Sequence, residues 1–504
     1  MREMRRSRGL LVLPALIVAI AAAIPAAAGA QATATPPKVV KPELPAGTIT
    51  KTYKVPLSIK SGQNLNLYDY IKADQRPSEE GWIIGFKPDL KLADGSTPPV
   101  DQIHLHHLVM LLNSDIVVAS GEEKTRVTLP NGFGYRYKPT DRLMLNHMIH
   151  NLTATPEKVI FEYTVDFLPA SAPAAAKMMG VRTQFVDVEG GKAYPVFDVK
   201  RNAGTNGRYT YPAQASASLA PRNRVRIQHD GTLVATAGHL HPGGLYTDLF
   251  VTRGDKTVKI FRSNAYYYGA AKLASWNVSM GAASPDWRVA VKKGDILSVQ
   301  VTYDTTKAAW YESMGISPAS LTNSPAGGVD PFDPAQYAQL DQREVLTHGE
   351  LKENRDYGGR KTQGYADARK LADGPTLAQV AIKDFVYKQG DLTMPGKKGL
   401  PPLVAPGKAI KFVNQDPLRE IFHTITPCKG ACDLSTGISY PLADSAQVDS
   451  GELGFGPVGV TAAANRATWS TPTYLKPGTY SYFCRIHPFM RGAWRVKKPK
   501  ATQR

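Results

Sequence analysis

The sequence predicts an all-β protein built from two tandem jelly-roll-like β-sandwich domains followed by a third β-sandwich. Three observations lead to this prediction. From about residue 51 to 345, short runs rich in β-branched and aromatic residues alternate with Gly, Pro, Asn and Asp, as in sandwich domains. Long helical periodicity is absent from the same region. Finally, a chain of 504 residues is long enough for about three domains.

The chain begins with a segment that predicts export. Four arginines lie among residues 1–8, an apolar run follows from Leu10 to about Ala28, and the segment ends in an Ala-x-Ala-like cleavage site before Gln31. No other stretch approaches the roughly 20 apolar residues that span a bilayer. We therefore expect residues 1–30 to be a signal peptide and the protein to be periplasmic, on the cell surface or extracellular. An uncleaved anchor is the alternative.

The predicted domains follow in order. After a flexible, Pro-rich leader over 31–50, the first sandwich spans 51–205 and the second 206–322. Residues 323–374 are rich in Pro, Gly and charge, which predicts a linker, with a short helix around Ala335–Val345. A third β domain follows over 375–500. The predicted strands include His107–Leu112, Lys158–Leu168, Arg224–Ala237, Thr257–Tyr268, Trp287–Tyr303, Gln379–Tyr387, Lys408–Asn414 and Gly478–Cys484.

The net charge of the chain indicates which kinds of partner it can bind. The formal net charge is +18, and the predicted signal peptide accounts for only a small part of it. The basic residues are spread along the chain and form no nucleic-acid-reading motif, so we expect no nucleic-acid partner. A basic surface is compatible with an acidic redox partner protein or a small reductant.

A set of copper-type donors lies near the C-terminus. Cys484, His487 and Met490 follow one another at Cys-x2-His-x2-Met spacing, and His423 is available upstream. A thiolate, two imidazoles and a weak axial thioether make a trigonal blue-copper site. The alternative is a buried structural cysteine beside unrelated His and Met side chains. With these residue types, order and spacing, the sequence predicts type 1 copper.

This C-terminal domain resembles the cupredoxins, the amicyanin- and plastocyanin-like blue copper proteins, over roughly a quarter of the chain. The resemblance implies a cupredoxin β-sandwich that transfers electrons. The segment between His423 and Cys484 is longer than in a minimal cupredoxin and contains Cys428 and Cys432. Export and close spacing predict that these two form a disulfide, with soft-metal binding as the alternative.

Histidines also cluster in the N-terminal half. Three short motifs hold seven of the eleven histidines: His104, His106, His107, His147, His150, His239 and His241. Residues i and i+2 share one face of a strand, so His239 and His241 can bind one metal. By the same rule His106 and His107 point apart unless a bulge intervenes, and His147 and His150 lie on opposite faces. Surface or core histidines are the alternative for each motif.

Residues 51–320 resemble the copper type II, ascorbate-dependent monooxygenases of the peptidylglycine α-hydroxylating type. The resemblance implies up to two type II coppers. His106, His107 and His150 match the ligands of one, and His239, His241 and Met314 match those of the other. The family's usual disulfides are absent, because no cysteine precedes Cys428. The roles of the additional His104, His147 and His348 stay open.

Two functions are compatible with these motifs. In the first, copper at the catalytic residues His239, His241 and Met314 activates O2 to hydroxylate a C–H bond, and the blue-copper domain supplies electrons. In the second, the chain is a non-enzymatic copper-binding electron-transfer or copper-storage protein. Hydrolysis by a Ser or Cys triad is disfavoured, because no nucleophile elbow occurs and Cys484 is committed to metal. The sequence identifies no substrate.

Overall fold

A computed structural model describes residues 36–40, 43–189, 195–213, 224–269, 272–306, 309–324, 326–354, 366–416, 421–428, 430, 432, 449–454 and 466–497. The predicted signal peptide lies outside these residues. Among those that are described, no helix combines the length and apolar character that a bilayer span requires.

The first ten strands form two sheets. Their bounds are β1 Ile49–Ile59, β2 Asn66–Tyr70, β3 Gly81–Leu92, β4 Ile103–Leu112, β5 Asp115–Ser120, β6 Val127–Thr128, β7 Phe133–Tyr137, β8 Leu143–Asn151, β9 Glu157–Pro169 and β10 Met179–Gly180. One sheet has the order β1-β9-β3-β7-β10 with β6 beside β3, and the other has the order β2-β8-β4-β5. Alternate residues such as Phe161, Tyr163 and Val165 on β9 fill the core of this sandwich.

The next fourteen strands contribute to a second core. Their bounds are β11 Arg182–Asp187, β12 Phe197–Val199, β13 Arg208–Tyr211, β14 Arg224–Arg226, β15 Gly231–Thr236, β16 His239–Leu240, β17 Gly244–Arg253, β18 Lys256–Tyr267, β19 Val278–Ala283, β20 Val289–Val291, β21 Ile296–Asp304, β22 Trp310–Ser313, β23 Gly315–Thr322 and β24 Glu344–Leu346. A sheet of order β13-β21-β17-β18-β19-β24, with β14 beside β21, faces a sheet of order β11-β23-β15-β20 with β16 beside β23. Strands β12 and β22 pair separately. Trp287, Val299 and Val251 are buried in this core.

Part of the predicted linker belongs to regular structure. Strand β24 pairs with β19, and the α-helix α1, Pro334–Tyr337, begins after Asp333, whose carboxylate accepts hydrogen bonds from two helix N–H groups. The Tyr337 hydroxyl donates to the carbonyl of Lys259 at 2.7 Å. Apolar residues spaced among the prolines and glycines thus anchor this segment to the second core. Short 3₁₀ helices cover Ala73–Gln75, Pro173–Lys177, Lys272–Ala274, Lys352–Asn354, Ala368–Lys370 and Gly396–Gly399.

The last ten strands surround a third core. Their bounds are β25 Gln379–Lys383, β26 Val386–Tyr387, β27 Leu403–Val404, β28 Lys411–Asn414, β29 His423–Thr424, β30 Thr426–Cys428, β31 Glu452–Leu453, β32 Thr468–Ser470, β33 Gly478–Phe483 and β34 Arg491–Val496. The sheets have the orders β26-β25-β28-β32 and β27-β34-β33-β30, and β29 pairs with β31. At its centre, Phe412 packs edge to face against both Tyr482 and Trp494.

The predicted all-β class is confirmed. Three predicted strands are each divided by a turn. Arg224–Ala237 becomes β14 and β15, Trp287–Tyr303 becomes β20 and β21, and Gln379–Tyr387 becomes β25 and β26. In the second case Gly294 adopts a φ of +96°, which glycine tolerates and which ends the extended run. The exact domain boundaries stay a prediction.

Candidate metal centres

The C-terminal donors converge at one end of the third core. His423 begins β29, and the loop between β33 and β34 carries Cys484, His487 and Met490. The Sγ of Cys484 lies 4.0 Å from Nδ1 of His423 and 3.6 Å from Nδ1 of His487. Among the described residues, these three form a group whose ligand atoms all lie within 4.8 Å of one another. The structure therefore contains a candidate metal site.

The two imidazoles are fixed through their outer nitrogens. His423 Nε2 lies 2.5 Å from Asp416 Oδ2, and His487 Nε2 donates to the carbonyl of Gly62 at 2.9 Å. Both Nδ1 atoms consequently face Cys484. Burial alone would lower the pKa of His423, but the Asp416 carboxylate raises it above its ordinary value. Such outer partners hold the ligands of metal sites in place.

The sulfur donors suit copper. Cys484 is fully buried and outside any disulfide, and Thr424 N–H donates to its Sγ at 3.3 Å. Burial would raise the pKa of this thiol, but hydrogen bonds from His423 and His487 outweigh burial and hold it well below its ordinary value. Met490 is 1% exposed and closes the loop through its main chain, which bonds to His487 and Cys484. A thiolate with two imidazoles and a thioether fits type 1 copper.

The other two cysteines are paired with each other. Cys428 is bonded to Cys432, as export and spacing predict. Cys432 packs against Leu152 of the first sandwich and Phe483 at the end of β33. The disulfide therefore lies next to the strand that delivers Cys484.

A β-bulge determines where the first histidine motif points. Leu105 pairs with Ile149 and His107 pairs with Met148, so His106 is an extra residue on β4. Because of this bulge, His106 and His107 both lie off the core face that Leu105 occupies. The carboxylate of Glu122 accepts a hydrogen bond from the Leu105 N–H at 2.7 Å beside the bulge.

Four histidines from the three motifs form an inner histidine cluster: His104, His106, His150 and His241. The ring centroid of His106 lies 4.6 Å from that of His150 and 4.8 Å from that of His241. The His104 ring lies 4.9 Å from that of His150. Trp276 covers the cluster at 5.0 Å from His241. All four histidines are at least 98% buried.

The chemistry of the inner histidine cluster fits a metal. Burial lowers the pKa of His104 to about 3. Burial and neighbouring imidazoles hold the pKa values of His106, His150 and His241 well below their ordinary range. These rings are therefore neutral at pH 7, as metal ligands must be. Both ring nitrogens of His150 are buried without a hydrogen-bond partner among the described residues, which is costly unless a ligand binds them.

The remaining predicted ligands face a neighbouring cavity. His107, His239 and Met314 line it together. His239 Nδ1 lies 2.9 Å from Glu123 Oε1, and His107 Nε2 lies 3.3 Å from Asn66 Oδ1. The His241 ring lies 4.8 Å from the His106 ring and 5.4 Å from the His239 ring. The structure thus places it between the inner histidine cluster and the cavity residues, whereas the resemblance groups it with His239 and Met314. The bulge and the short strand β16 account for the difference, since they aim His107 and His239 into the cavity.

The hydroxyl of Tyr303 joins the segment that carries His241 to the segment that carries Met314. Tyr303 Oη accepts hydrogen bonds from the N–H of His241 at 3.1 Å and of Met314 at 2.9 Å. It donates to the carbonyl of Met314 at 2.7 Å. The hydroxyl therefore fixes the spacing between a predicted imidazole ligand and the predicted thioether ligand.

Two of the additional histidines lie apart from both groups. His147 points to the opposite face of β8 from His150 and lies 2.8 Å from Asp69, as strand alternation predicts. His348 is bonded to the carbonyl of Gly349. Sequence reasoning missed the supporting residues Asp416, Gly62, Glu123, Tyr303 and Trp276. Only Asp416 carried a signal, as a carboxylate shortly before a ligand histidine.

Comparisons with known proteins add little. No family model and no curated protein matches the chain. Among solved structures it is similar to the copper-containing nitrite reductase NirK of Thermus scotoductus SA-01, with 14% identity and a TM-score of 0.16 over 54% of this chain and 59% of that chain. The chain therefore spans less than two thirds of that reductase. It is also similar to the T13 particle of infectious bursal disease virus (IBDV), with 10% identity and a TM-score of 0.17 over 58% and 73% of the two chains.

Proposed function

We propose that this protein is an exported copper redox protein whose C-terminal blue-copper site supplies electrons to an N-terminal copper module, which hydroxylates a C–H bond with O2. The observation that carries the proposal is the hydrogen bond from His487 to Gly62. It turns a predicted copper ligand of the third domain towards the first sandwich. His487 is 0% exposed, so this ligand faces protein and not solvent.

The C-terminal donors support the electron-transfer half. His423, Cys484, His487 and Met490 would hold the metal, and copper in such a set exchanges single electrons. Asp416 and Gly62 restrain the two imidazoles from outside. Restrained ligands suit a site that changes oxidation state without moving its donors.

A short bonded route supports transfer within the chain. From His487 it crosses one hydrogen bond to the carbonyl of Gly62 and continues along the peptide to Gln63. The Gln63 carbonyl accepts a hydrogen bond from the N–H of Asn151 at 2.8 Å. Asn151 directly follows His150, a member of the inner histidine cluster. Two hydrogen bonds and a short stretch of main chain therefore join the two candidate metal centres.

The N-terminal residues support the oxidative half. His150 and His241 offer neutral, buried nitrogens, and Met314 offers a thioether, which favours reduced copper. The overall reaction is R–H + O2 + 2 electrons + 2 protons giving R–OH + H2O. One oxygen atom enters the C–H bond and the other leaves as water. The two electrons come one at a time from the C-terminal domain.

Export and the source of electrons complete the proposal. The predicted signal peptide and the disulfide support export. A basic surface suits an acidic redox partner protein or a small reductant that recharges the C-terminal site.

The second candidate is a non-enzymatic copper-binding electron-transfer or copper-storage protein. The inner histidine cluster favours it, because four protein ligands can close a coordination shell and leave no position for O2. Both candidates share the blue-copper electron-transfer role.

Metal content separates the two candidates. The mature protein is loaded with copper, the copper per chain is counted, and optical and electron spin resonance spectra are recorded. Three equivalents, one of them blue, with O2 uptake on reduction support the monooxygenase. Extra copper that O2 does not reoxidise supports storage. One blue equivalent alone contradicts the proposal for the N-terminal half.

A further inference from the structure

A cavity of about 500 Å³ lies beside His107, His239 and Met314. Its walls come from β4 and β5 of the first sandwich and from β11, β15, β19 and β23 of the second core. This volume is in the range of small-molecule binding sites. The cavity is therefore large enough for a ligand whose end reaches the predicted metal donors.

Two strands build the walls by simple alternation. On β4, the residues after His107 on the same face are Val109 and Leu111. On β23, the residues after Met314 on the same side are Ile316 and Pro318. A predicted metal donor thus lies at one end of each apolar row: His107 on β4, and Met314 directly before β23. A ligand lying along these rows would meet the donors at its tip.

Charge in the walls is limited. Among the described lining residues, the charged ones are Glu123 and Arg126. Arg126 is exposed to solvent. Glu123 is buried, and its Oε1 is held by His239, Gly121 N–H and Thr125. An anionic ligand would lie against this carboxylate and find no buried cation, so its desolvation would not be offset.

We infer that the cavity binds a predominantly apolar small molecule that carries no negative charge, with the bond to be oxidised at the end nearest His107, His239 and Met314. That this molecule is the substrate rests on the proposed function, whereas its chemical class follows from the walls alone.

Binding to the copper-free protein tests the ligand class. The probe is N-phenyl-1-naphthylamine, a neutral apolar fluorophore, and we expect saturable binding of one equivalent. Two competitors of equal chain length test charge: 1-decanol should displace the probe at least tenfold better than decanoate. Equal or better displacement by decanoate would overturn the inference.

Two filling variants locate the site. Ala235→Phe on β15 and Ala282→Phe on β19 both project into the cavity and should each weaken probe binding at least tenfold. Ala176→Phe, at an exposed alanine of the Pro173–Lys177 turn, is the matched control and should bind as the parent does. Thermal unfolding of each sample identifies a variant that fails to fold. Unchanged affinity in a folded lining variant would overturn the inference.

Copper counting on the same preparations separates this inference from the proposed function. Probe binding with a single copper per chain supports the ligand class and contradicts the monooxygenase. Three coppers per chain without probe binding contradicts the ligand class alone. In the copper-loaded protein, 1-decanol should also shift the spin-resonance signal of non-blue copper, because His107, His239 and Met314 line the cavity. An unshifted signal with the ligand bound would overturn the predicted orientation.

Discussion

The carbonyl oxygen of Gly62 accepts a hydrogen bond from Nε2 of His487 at 2.9 Å, although 425 residues separate the two in the chain. Gly62 has a φ of +59°, and a Cβ there would lie 2.8 Å from His487 Nε2 and closer still to the ring of Phe385. Glycine is required here for its backbone conformation and for the close approach of two side chains. A residue of the first sandwich thus holds a predicted copper ligand of the third core in place through a hydrogen bond.

Replacing Gly62 by Ala should shift the visible absorption band of the copper-loaded protein, because the new methyl group displaces His487 and Phe385. Gly254→Ala is the matched control, since Gly254 has a φ of +60° with open space around it. Both variants should lose about 1–2 kcal/mol through the left-handed backbone conformation. Identical absorption spectra in the two variants would show that Gly62 does not affect the geometry of the copper site.

Replacing Cys484 by Ser should abolish the intense visible band and leave any non-blue copper signal intact. The buried thiolate is the donor that distinguishes this set from ordinary imidazole sites. Optical and spin-resonance spectra of the copper-loaded variant measure both effects. A parent protein with no such band would remove the type 1 assignment altogether.

Replacing His104 by Ala should cost the inner histidine cluster more copper than replacing His107 by Ala. The His104 ring lies 4.9 Å from His150, whereas His107 faces the cavity. The comparison is made with Cys484 intact, where the visible band counts the blue copper and the rest of the copper per chain reports the N-terminal sites. The opposite order would restore the pairing of His106 with His107 that the resemblance favours.

Replacing Tyr303 by Phe should destabilise the protein by about 1–3 kcal/mol, because buried main-chain groups of His241 and Met314 lose their partner. It should also weaken Cu(I) binding in the N-terminal half, since the hydroxyl sets the spacing of the two segments. Chemical denaturation and a Cu(I) competition titration measure the two effects. Full Cu(I) affinity in the folded variant would make Tyr303 purely structural.

Acidification should destabilise the copper-free protein. Burial lowers the pKa of His104 to about 3, while an unfolded chain titrates near 6.5. Between these two pKa values His104 is protonated in the unfolded chain and neutral in the folded protein. Its contribution to the free energy of unfolding is therefore complete above about pH 6.5 and is lost as the pH falls towards 3. Between pH 6.5 and 4.5 it amounts to about 2–3 kcal/mol.

The control for this pH dependence is a pair of histidine variants. His104→Leu should lose less stability than the parent on acidification, by about that amount. His229→Leu, at an exposed histidine, should follow the parent. Equal pH dependence in all three proteins would show that His104 does not titrate across this range on unfolding.

The features that the sequence predicted well depend on short-range patterns. The all-β class is legible from the alternation of strands and turns. The C-terminal donors could be recognised because Cys484, His487 and Met490 share one loop, so their spacing survives folding. His147 and His150 likewise follow strand alternation onto opposite faces of β8.

The features that it missed depend on contacts between distant segments. Nothing near Gly62 in the sequence indicates that it lies against His487. His106 and His241 come together because the two sandwiches are in contact and because β4 contains a bulge. The alternation of residue types in the sequence does not reveal such a bulge. The predicted linker also contributes β24, because pairing with β19 depends on a partner far away in the chain.

The bulge on β4 has a further consequence for how this chain can change. Leu105 before it and Leu108 after it both remain in the core. The extra residue His106 therefore does not change which side chains face inward on either side of the bulge. A single codon inserted or deleted at this position would gain or lose a predicted metal donor in one evolutionary step. The same event in the regular part of the strand would exchange its inward and outward faces and destroy the fold.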